Sequence, residues 1–475
     1  MKMKHILAII APLLLLLLTF LAPVGAFAAR SLSFGLSGSD VTTLQNTLIT
    51  KGYLAAGKAT GYFGPLTEAA IKKFQCEQSI ICTGTRASGY GVYGPRTQAA
   101  LGGTGTTASQ FEFSGWIPYW RAATGTADVI PHLSQLTSVM PFGYTMKKNG
   151  TLADTAKLTE EPWTSFIAAA KKANVRVVPS VMWGDGETIH QILSNTATRI
   201  ALEDEIANIV KQNGFDGIDI DFEAKKHETV DYFSTFLKGL DMRLGNKWLY
   251  CTVEARMPLN HRFSPGAAIP PDAMDYANDY AQMNKYCDRV EIMAYDQGTI
   301  DVYLKGIRPA PYAPVADPEW VESLVTLAAQ SISKDKLIVG IPTYGYEYQI
   351  SLLPDASFTY KVLWPFNPRY ATDIAAQFGI TPVRTAAGEL SIITTAATPP
   401  PEDSESTQTQ QATPSPVIQS PASLISAIRT FNYLTWSDAK AIANKVALAR
   451  KLGIRGVAVF KFDGGQDPAM WDVLK

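Results

Sequence analysis

Phe215-Asp216-Gly217-Ile218-Asp219-Ile220-Asp221-Phe222-Glu223 packs four acids into an otherwise strand-forming run. Alternate side chains of a β-strand share a face. Asp219, Asp221 and Glu223 therefore point one way, and Ile218, Ile220 and Phe222 the other. The apolar set packs against covering helices, and the acidic set lines an interior or a cleft. Three carboxylates on one face repel, and burial disfavours their charged forms, so at least one keeps its proton at neutral pH. A carboxyl with a raised pKa at the open end of a strand is what a general acid needs. A calcium loop beginning at Asp219 would require Gly at 224 and Glu at 230, and the chain has Ala224 and Val230 there.

Outward from this stretch, apolar strand-like runs alternate with helical patterns. The runs begin near Phe113, Thr137, Arg176, Phe215, Trp248, Arg289, Leu337 and Ile454. Helical spacing covers Glu161 to Ala173, Ile200 to Asn213, Val230 to Leu244, Pro318 to Ser331 and Ser437 to Leu452. Alternation of this kind predicts an α/β chain whose residues 111–475 form a (β/α)8 TIM barrel. Chemistry in that fold sits at the C-terminal strand ends, where Glu223 closes the fourth run. Other predicted strand ends carry Tyr119, Phe142, Tyr144 and Trp183, aromatic faces of the kind that stack on sugar rings. Between Tyr344 and Ile454 the chain is long enough for an inserted small α+β lobe. Residues 394–423 are rich in Thr, Pro, Ser and Gln and are expected to form a disordered loop.

The acidic stretch resembles the D-x-x-D-x-D-x-E signature of family 18 glycoside hydrolases, with Asp216, Asp219, Asp221 and Glu223 in its acidic positions. Glu291-Ile292-Met293-Ala294-Tyr295-Asp296 resembles the family's M-x-Y-D motif, and Gly340 to Tyr346 resembles its next strand. The resemblance implies Glu223 as acid, Asp221 and Tyr295 holding the 2-acetamido group of the substrate, and Asp219 sharing a proton behind Asp221. It also places Asp216, Met293, Asp296 and Tyr344 among the residues that bind the sugar. Two positions depart from the family pattern. Ser180-Val181-Met182-Trp183 replaces S-x-G-G, and Phe460 stands where the family tends to place Trp under the reacting sugar. The third-strand departure, with Gly115 to Trp120, is closer to the spore-cortex and wall-lytic branch than to chitinases proper.

The N-terminal part reads separately. A basic start, an apolar run from Ile6 to Leu21 and Ala26-Phe27-Ala28 predict a signal peptide over 1–28, or a membrane anchor if it stays uncut. Residues 31–101 predict a small all-α domain with a repeat: Gly61-Tyr62-Phe63-Gly64-Pro65 returns as Gly91-Val92-Tyr93-Gly94-Pro95. Pro opens a helix in each copy. Leu36, Gly38, Val41, Leu44-Gln45, Leu48, Gly52-Tyr53, Tyr62 to Pro65, Thr67, Ala70 and Phe74-Gln75 resemble the type 1 peptidoglycan-binding domain, which implies wall attachment. Gly89 to Gly94 fits G-x-G-x-x-G, but no strand leads into it, so a dinucleotide site is not expected. Residues 102–110 are Gly- and Thr-rich and predict a flexible linker.

A net charge of −1 over 475 residues, with no basic run, argues against a nucleic-acid partner. His132, His190, His227 and His261 form no H-x-H or H-E-x-x-H, and no G-x-S-x-G elbow is present, so neither a metal nor a cofactor is expected. Cys76 and Cys82 are close enough to form one staple after export or to stay reduced. Cys251 and Cys287 fall in apolar runs and read as core thiols. No protein partner is implied. The expected function is a secreted wall or periplasmic hydrolase cleaving β-1,4 bonds after N-acetylglucosamine in peptidoglycan. A chitinase and a non-catalytic binder of N-acetyl glycans are the alternatives.

Overall fold

In the computed structural model, residues 31–86, 89–101, 111–395, 398–401 and 429–475 are described. The expected signal segment, the linker and residues 396–397 and 402–423 of the expected loop lie outside them.

The barrel strands are Glu112–Ile117, Ser138–Met146, Ser180–Trp183 (extended backwards by Arg176–Val177), Gly217–Phe222, Trp248–Glu254, Arg289–Met293, Leu337–Pro342 and Gly456–Phe460. Each pairs in parallel with its neighbour, and the first closes the ring by pairing with both the second and the last. The period of two is kept. Ile218, Ile220 and Phe222 pack outward into the layer between strands and helices, while Trp116, Met140, Phe142, Tyr250, Ile338 and Ala458 fill the interior. Val230–Leu244 buries Phe233, Phe236, Leu237 and Leu240 against that outer face, and Phe236 stacks on Phe222 at 5.5 Å. Helix starts obey local chemistry, since Asp185, Asn195, Asp279, Asp301, Asp317 and Asp438 accept from the free N–H groups of their first turns.

Cys251 and Cys287 correct the expectation of free core thiols. Cys251 points outward from the fifth strand and meets Cys287 at the end of Tyr280–Tyr286, their Cα atoms 6.1 Å apart in a disulfide. Cys76 and Cys82 are also bonded.

Two additions flank the barrel. An inserted lobe carries an antiparallel sheet in the order Phe358–Phe366, Gly345–Leu352, Arg429–Trp436, Leu390–Thr394, Val383–Arg384, with helix Pro368–Phe378 against it. Glu389 ties the lobe to the barrel by accepting from the Val315 and Ala316 N–H groups at 2.8 Å, with Lys445 3.5 Å away. Thr394 belongs to a strand, Tyr370 donates to Pro399 O, and Thr398 donates to Glu347. The described chain therefore reaches past the predicted start of the loop at 394, where the Thr398 hydroxyl serves the buried Glu347 carboxylate.

The small domain holds helices Ser39–Thr50, Pro65–Glu77 and Pro95–Leu101. Its repeat is visible in its hydrogen bonds. The Gln45 amide clasps Gly61 N–H, Tyr62 O and the Thr67 hydroxyl, and the Gln75 amide clasps Gly91 N–H, Val92 O and the Thr97 hydroxyl. The second copy docks on the N-terminal rim of the barrel. Asn246 donates to Val92 O at 3.0 Å and accepts from Thr97 N–H at 3.0 Å, and Arg96 reaches Asp241 at 2.8 Å and Asp288 at 3.1 Å. A Cβ on Gly89 or Gly94 would fall 2.5 or 2.6 Å from Asn246 atoms, so this approach needs glycine.

At the same end of the barrel, Glu112 is clamped by Arg289 at 2.6 Å and Arg176 at 3.2 Å. Burial opposes its charge, but the guanidiniums of Arg176 and Arg289 outweigh burial and hold the carboxyl down at about 2. Its contribution to stability is therefore complete above the unfolded carboxyl pKa and is lost as pH falls towards 2. Arg289→Met strands this carboxylate and is expected to cost about 3–5 kcal/mol in denaturant unfolding at pH 7. An unchanged midpoint would show that Arg176 alone suffices.

Candidate active site

The interior face of the fourth strand carries the acids, as alternation requires. Asp219 is fully buried and collects three donors: Trp116 Nε1 at 3.1 Å, Ser180 Oγ at 2.6 Å and Thr252 Oγ1 at 2.8 Å. Register makes this possible, since Ser180 pairs with Asp219 on one side and Thr252 pairs with Asp221 on the other. Burial raises the Asp219 pKa against the pull of those bonds. Asp221 lies one pleat higher and is 2% exposed. Its Oδ1 receives no hydrogen bond from any described residue. Burial, then the charges of Glu223 and Asp219, push its pKa well above the ordinary carboxylate range. Glu223 follows at the strand end, half-buried, its N–H donating to Trp183 O at 2.8 Å. Burial, then the Glu254 charge, raises its pKa. Two deeply buried carboxyls thus lie under a shallower one, and burial raises the pKa of all three.

Tyr295 faces this column from the sixth strand end and stacks on Phe460, with centroids 5.1 Å apart and planes 15° apart. Burial, then Asp221, keeps its hydroxyl protonated, so it remains a donor. Phe460 also meets Trp116 at 6.1 Å and Tyr344 at 5.9 Å, and forms an apolar floor. Asp296 takes a positive φ of 59° and accepts from the hydroxyls of Tyr344 at 2.5 Å and Tyr346 at 2.9 Å. Met293 packs beside Tyr295, Tyr344 and Phe460. Tyr119 and Phe142 edge the interior cluster, and the half-exposed Trp120 packs on both, at 4.8 and 6.2 Å. The side chains brought together are carboxyls, hydroxyls and aromatic faces. Among the described residues no His, Cys, Asp and Glu group could hold a metal ion.

Three expected site residues lie elsewhere. Asp216 sits at the opposite end of the strand, roughly 20 Å from Glu223 at the rise of an extended chain, where it accepts from Val177 N–H at 2.9 Å. Its work is joining strands at the closed rim. Trp183 is buried in the outer layer against Phe222 at 5.3 Å. Counting from the inward Ser180 puts it on the outward face. Tyr144 is buried in the same layer, because the register shifts between Phe142 and Tyr144 and reverses its side.

Several residues of the site were not singled out from sequence. Trp116, Ser180 and Thr252 serve Asp219 across strand partners that sequence spacing cannot identify. Glu291 was legible, since it shares parity with Met293 and Tyr295. It is fully buried within 3.5 Å of Thr252 Oγ1. Burial, then Asp219, raises its pKa far above the carboxylate range.

Residues 115–465 match the family model of glycosyl hydrolases family 18, and residues 37–101 match that of the type 1 peptidoglycan binding domain. Over 166 residues the chain is 28% identical to the uncharacterized glycosylase YvbX of Bacillus subtilis, covering 35% of this chain and 44% of that protein. The spore cortex-lytic enzyme SleL of Bacillus megaterium superposes with a TM-score of 0.56 at 18% identity, over 78% of this chain and 74% of that one. A class V chitinase of Pseudomonas fluorescens gives a TM-score of 0.56 at 19% identity, over 77% of this chain and 98% of that one. At these identities the structural likeness is one of fold. The chain spans about half the length, or less, of the curated relatives it matches.

Glu291 generates a test of the buried column. Its folded pKa lies above its unfolded one, so the folded chain keeps a proton that the unfolded chain releases. The resulting stability is complete below the unfolded carboxyl pKa and fades as pH rises through the folded one. Glu291→Gln is therefore expected to gain stability relative to the parent between pH 5 and pH 8. An equal difference at both pH values would mean that Glu291 titrates alike in both states.

Proposed function

The chain belongs to glycosyl hydrolases family 18, and from that premise we propose a cell-wall hydrolase that cleaves β-1,4 bonds after N-acetylglucosamine by substrate-assisted, retaining catalysis. The observation that carries this reading is Asp221 Oδ1, a buried acceptor without a donor, between a fully buried Asp219 and a half-buried Glu223. Such an atom costs about 1–3 kcal/mol unless something donates to it. The N–H of a 2-acetamido group is a donor of the right kind, and ordinary glucans lack it.

The steps follow from the groups present. Glu223 gives its proton to the glycosidic oxygen as the bond to the anomeric carbon breaks. The acetamido carbonyl oxygen of the same sugar attacks that carbon and closes an oxazolinium ring. Asp221 accepts the N–H and balances the positive charge, while the proton shared with Asp219 adjusts beneath it. Tyr295 donates to the acetamido oxygen and orients it for attack. Glu223, now a carboxylate, takes a proton from water, whose oxygen adds to the anomeric carbon and opens the ring. This differs from the scheme with two enzymic carboxylates, because the nucleophile belongs to the substrate.

Peptidoglycan is favoured as the polymer by the matched wall-binding domain, and by likeness to a structure named as a spore cortex-lytic enzyme. Location outside the cytoplasm is supported by both disulfides, which persist in oxidising compartments.

The central test digests purified sacculi, then reduces and weighs the released fragments. Reduced N-acetylglucosamine ends are expected; new ends from chitin oligomers alone would make the protein a chitinase, and silence on both would leave a glycan-binding protein. Glu223→Gln removes the transferable proton and is expected to cut turnover by roughly 10²–10⁴-fold while binding persists. Near-parental turnover by that variant would reject Glu223 as the acid. Removing residues 31–101 is expected to weaken co-sedimentation with sacculi while short soluble glycans are still cleaved. Undiminished sedimentation would reject wall anchoring by this domain.

A further inference from the structure

Beyond the residues that meet the sugar, the backbone just after Glu223 is held in an unusual way. Ala224 has φ of 53°, left-handed backbone that a residue with a Cβ adopts only at a cost of roughly 1–2 kcal/mol. Its N–H donates to Glu254 Oε1 at 2.9 Å, across from the end of the fifth strand. Glu254 Oε2 accepts from Asn278 Nδ2 at 3.0 Å, which fixes the carboxylate from its far side. Lys225 folds back beneath the turn. Its side chain is fully buried, its ammonium donates to Phe222 O, lies 3.7 Å from Glu254 Oε2 and sits over the Phe233 ring at 4.7 Å. A buried ammonium in that place is tolerated only with a carbonyl and a carboxylate beside it.

We propose that Glu254 and Lys225 form a charge couple that positions the acid Glu223: Glu254 pins the turn that aims it and sets a negative charge beside its carboxyl, and Lys225 balances that charge from the protein side. The proposal rests on reading Glu223 as the general acid. It adds two positioning residues that touch neither sugar nor scissile bond.

The groups facing Glu223 come from several elements. Asp221 lies below it on its own strand, Lys225 on the loop that follows, Glu254 at the end of the fifth strand, and Tyr295 and Asp296 at the end of the sixth. After burial, Glu254 is the leading cause that raises the Glu223 pKa, while Lys225 lowers it and Asp296 raises it. The sign of each substitution follows. Losing the Glu254 charge makes Glu223 release its proton at lower pH. Losing the Lys225 charge makes it hold the proton to higher pH.

The experiment compares pH profiles of kcat/KM on a fluorogenic chito-oligosaccharide for the full chain, Glu254→Gln, Glu254→Ala and Lys225→Met. A site-specific ¹³C NMR titration of the Glu223 carboxyl in each protein accompanies it and needs no turnover. Glu254→Gln keeps an acceptor for Ala224 N–H but removes the charge, so its basic limb and its Glu223 titration are expected to move to lower pH. Glu254→Ala also frees the turn, and its plateau kcat is expected to fall on the order of tenfold below that of Glu254→Gln, since small misplacements of a reacting group are costly. Lys225→Met is expected to move both readouts to higher pH. Should it not fold, the Glu254 pair decides alone, because Glu254 is 39% exposed at its side chain and lies at a strand end. An unmoved Glu223 titration in Glu254→Gln would overturn the electrostatic role, and equal plateaus for Glu254→Gln and Glu254→Ala would overturn the positioning role. A moved titration with a basic limb that stays in place would instead show that Glu223 is not the acid, which overturns the mechanism and leaves the couple intact.

Discussion

Carboxyl groups stacked inside a closed barrel repel one another and lose their hydration, and each level of this interior answers that cost differently. At the closed rim, Glu112 stays charged because Arg176 and Arg289 reach it. In the middle, burial raises the pKa of Glu291 and Asp219, with Thr252 able to donate to either. At the mouth, Asp221 is left without a donor and Glu223 meets solvent. Charge is thus balanced by arginine below and opposed by burial above.

The surroundings preserve that gradient. Outward-facing Ile218, Ile220 and Phe222 anchor the acidic strand to the helical layer, so the column cannot relax by sliding. Phe460, Trp116 and Tyr295 close the interior beside the acids with aromatic faces. Those faces exclude water without offering competing donors, apart from the indole that serves Asp219 and the hydroxyl of Tyr295. Tyr344, just before the lobe, and Tyr346, on its first strand, stand at the mouth, where both donate to Asp296 and hold its strained backbone in place.

The small domain meets the barrel at the rim opposite the mouth. Its two copies of one turn are chemically alike, yet only the second, with Arg96 where the first has Leu66, contacts Asp241 and Asp288. Leu66 and Tyr62 of the first copy remain exposed at 59% and 44%. One repeat therefore serves the enzyme's own architecture, and the other keeps its surface open. The open end of the barrel lies away from this contact.

The sequence by itself determined what depends on short-range period and composition. Alternation alone placed Asp219, Asp221 and Glu223 on one face, counted the barrel strands and marked Glu223 as the open end. Motif likeness added Tyr295 and Phe460, which the structure brings to the same place. Only the tertiary structure decided what depends on register between strands far apart in the chain. Ser180, Trp116 and Thr252 meet at Asp219, and Glu254 meets Ala224, because of how the ring closes. One shift of register turned Tyr144 outward, and strand direction sent Asp216 to the far rim. Cys251 and Cys287 became partners because a helix end packs against a strand. A side chain's face is a local property of the backbone, whereas its neighbours are set by closure of the barrel, and no window of sequence contains that closure.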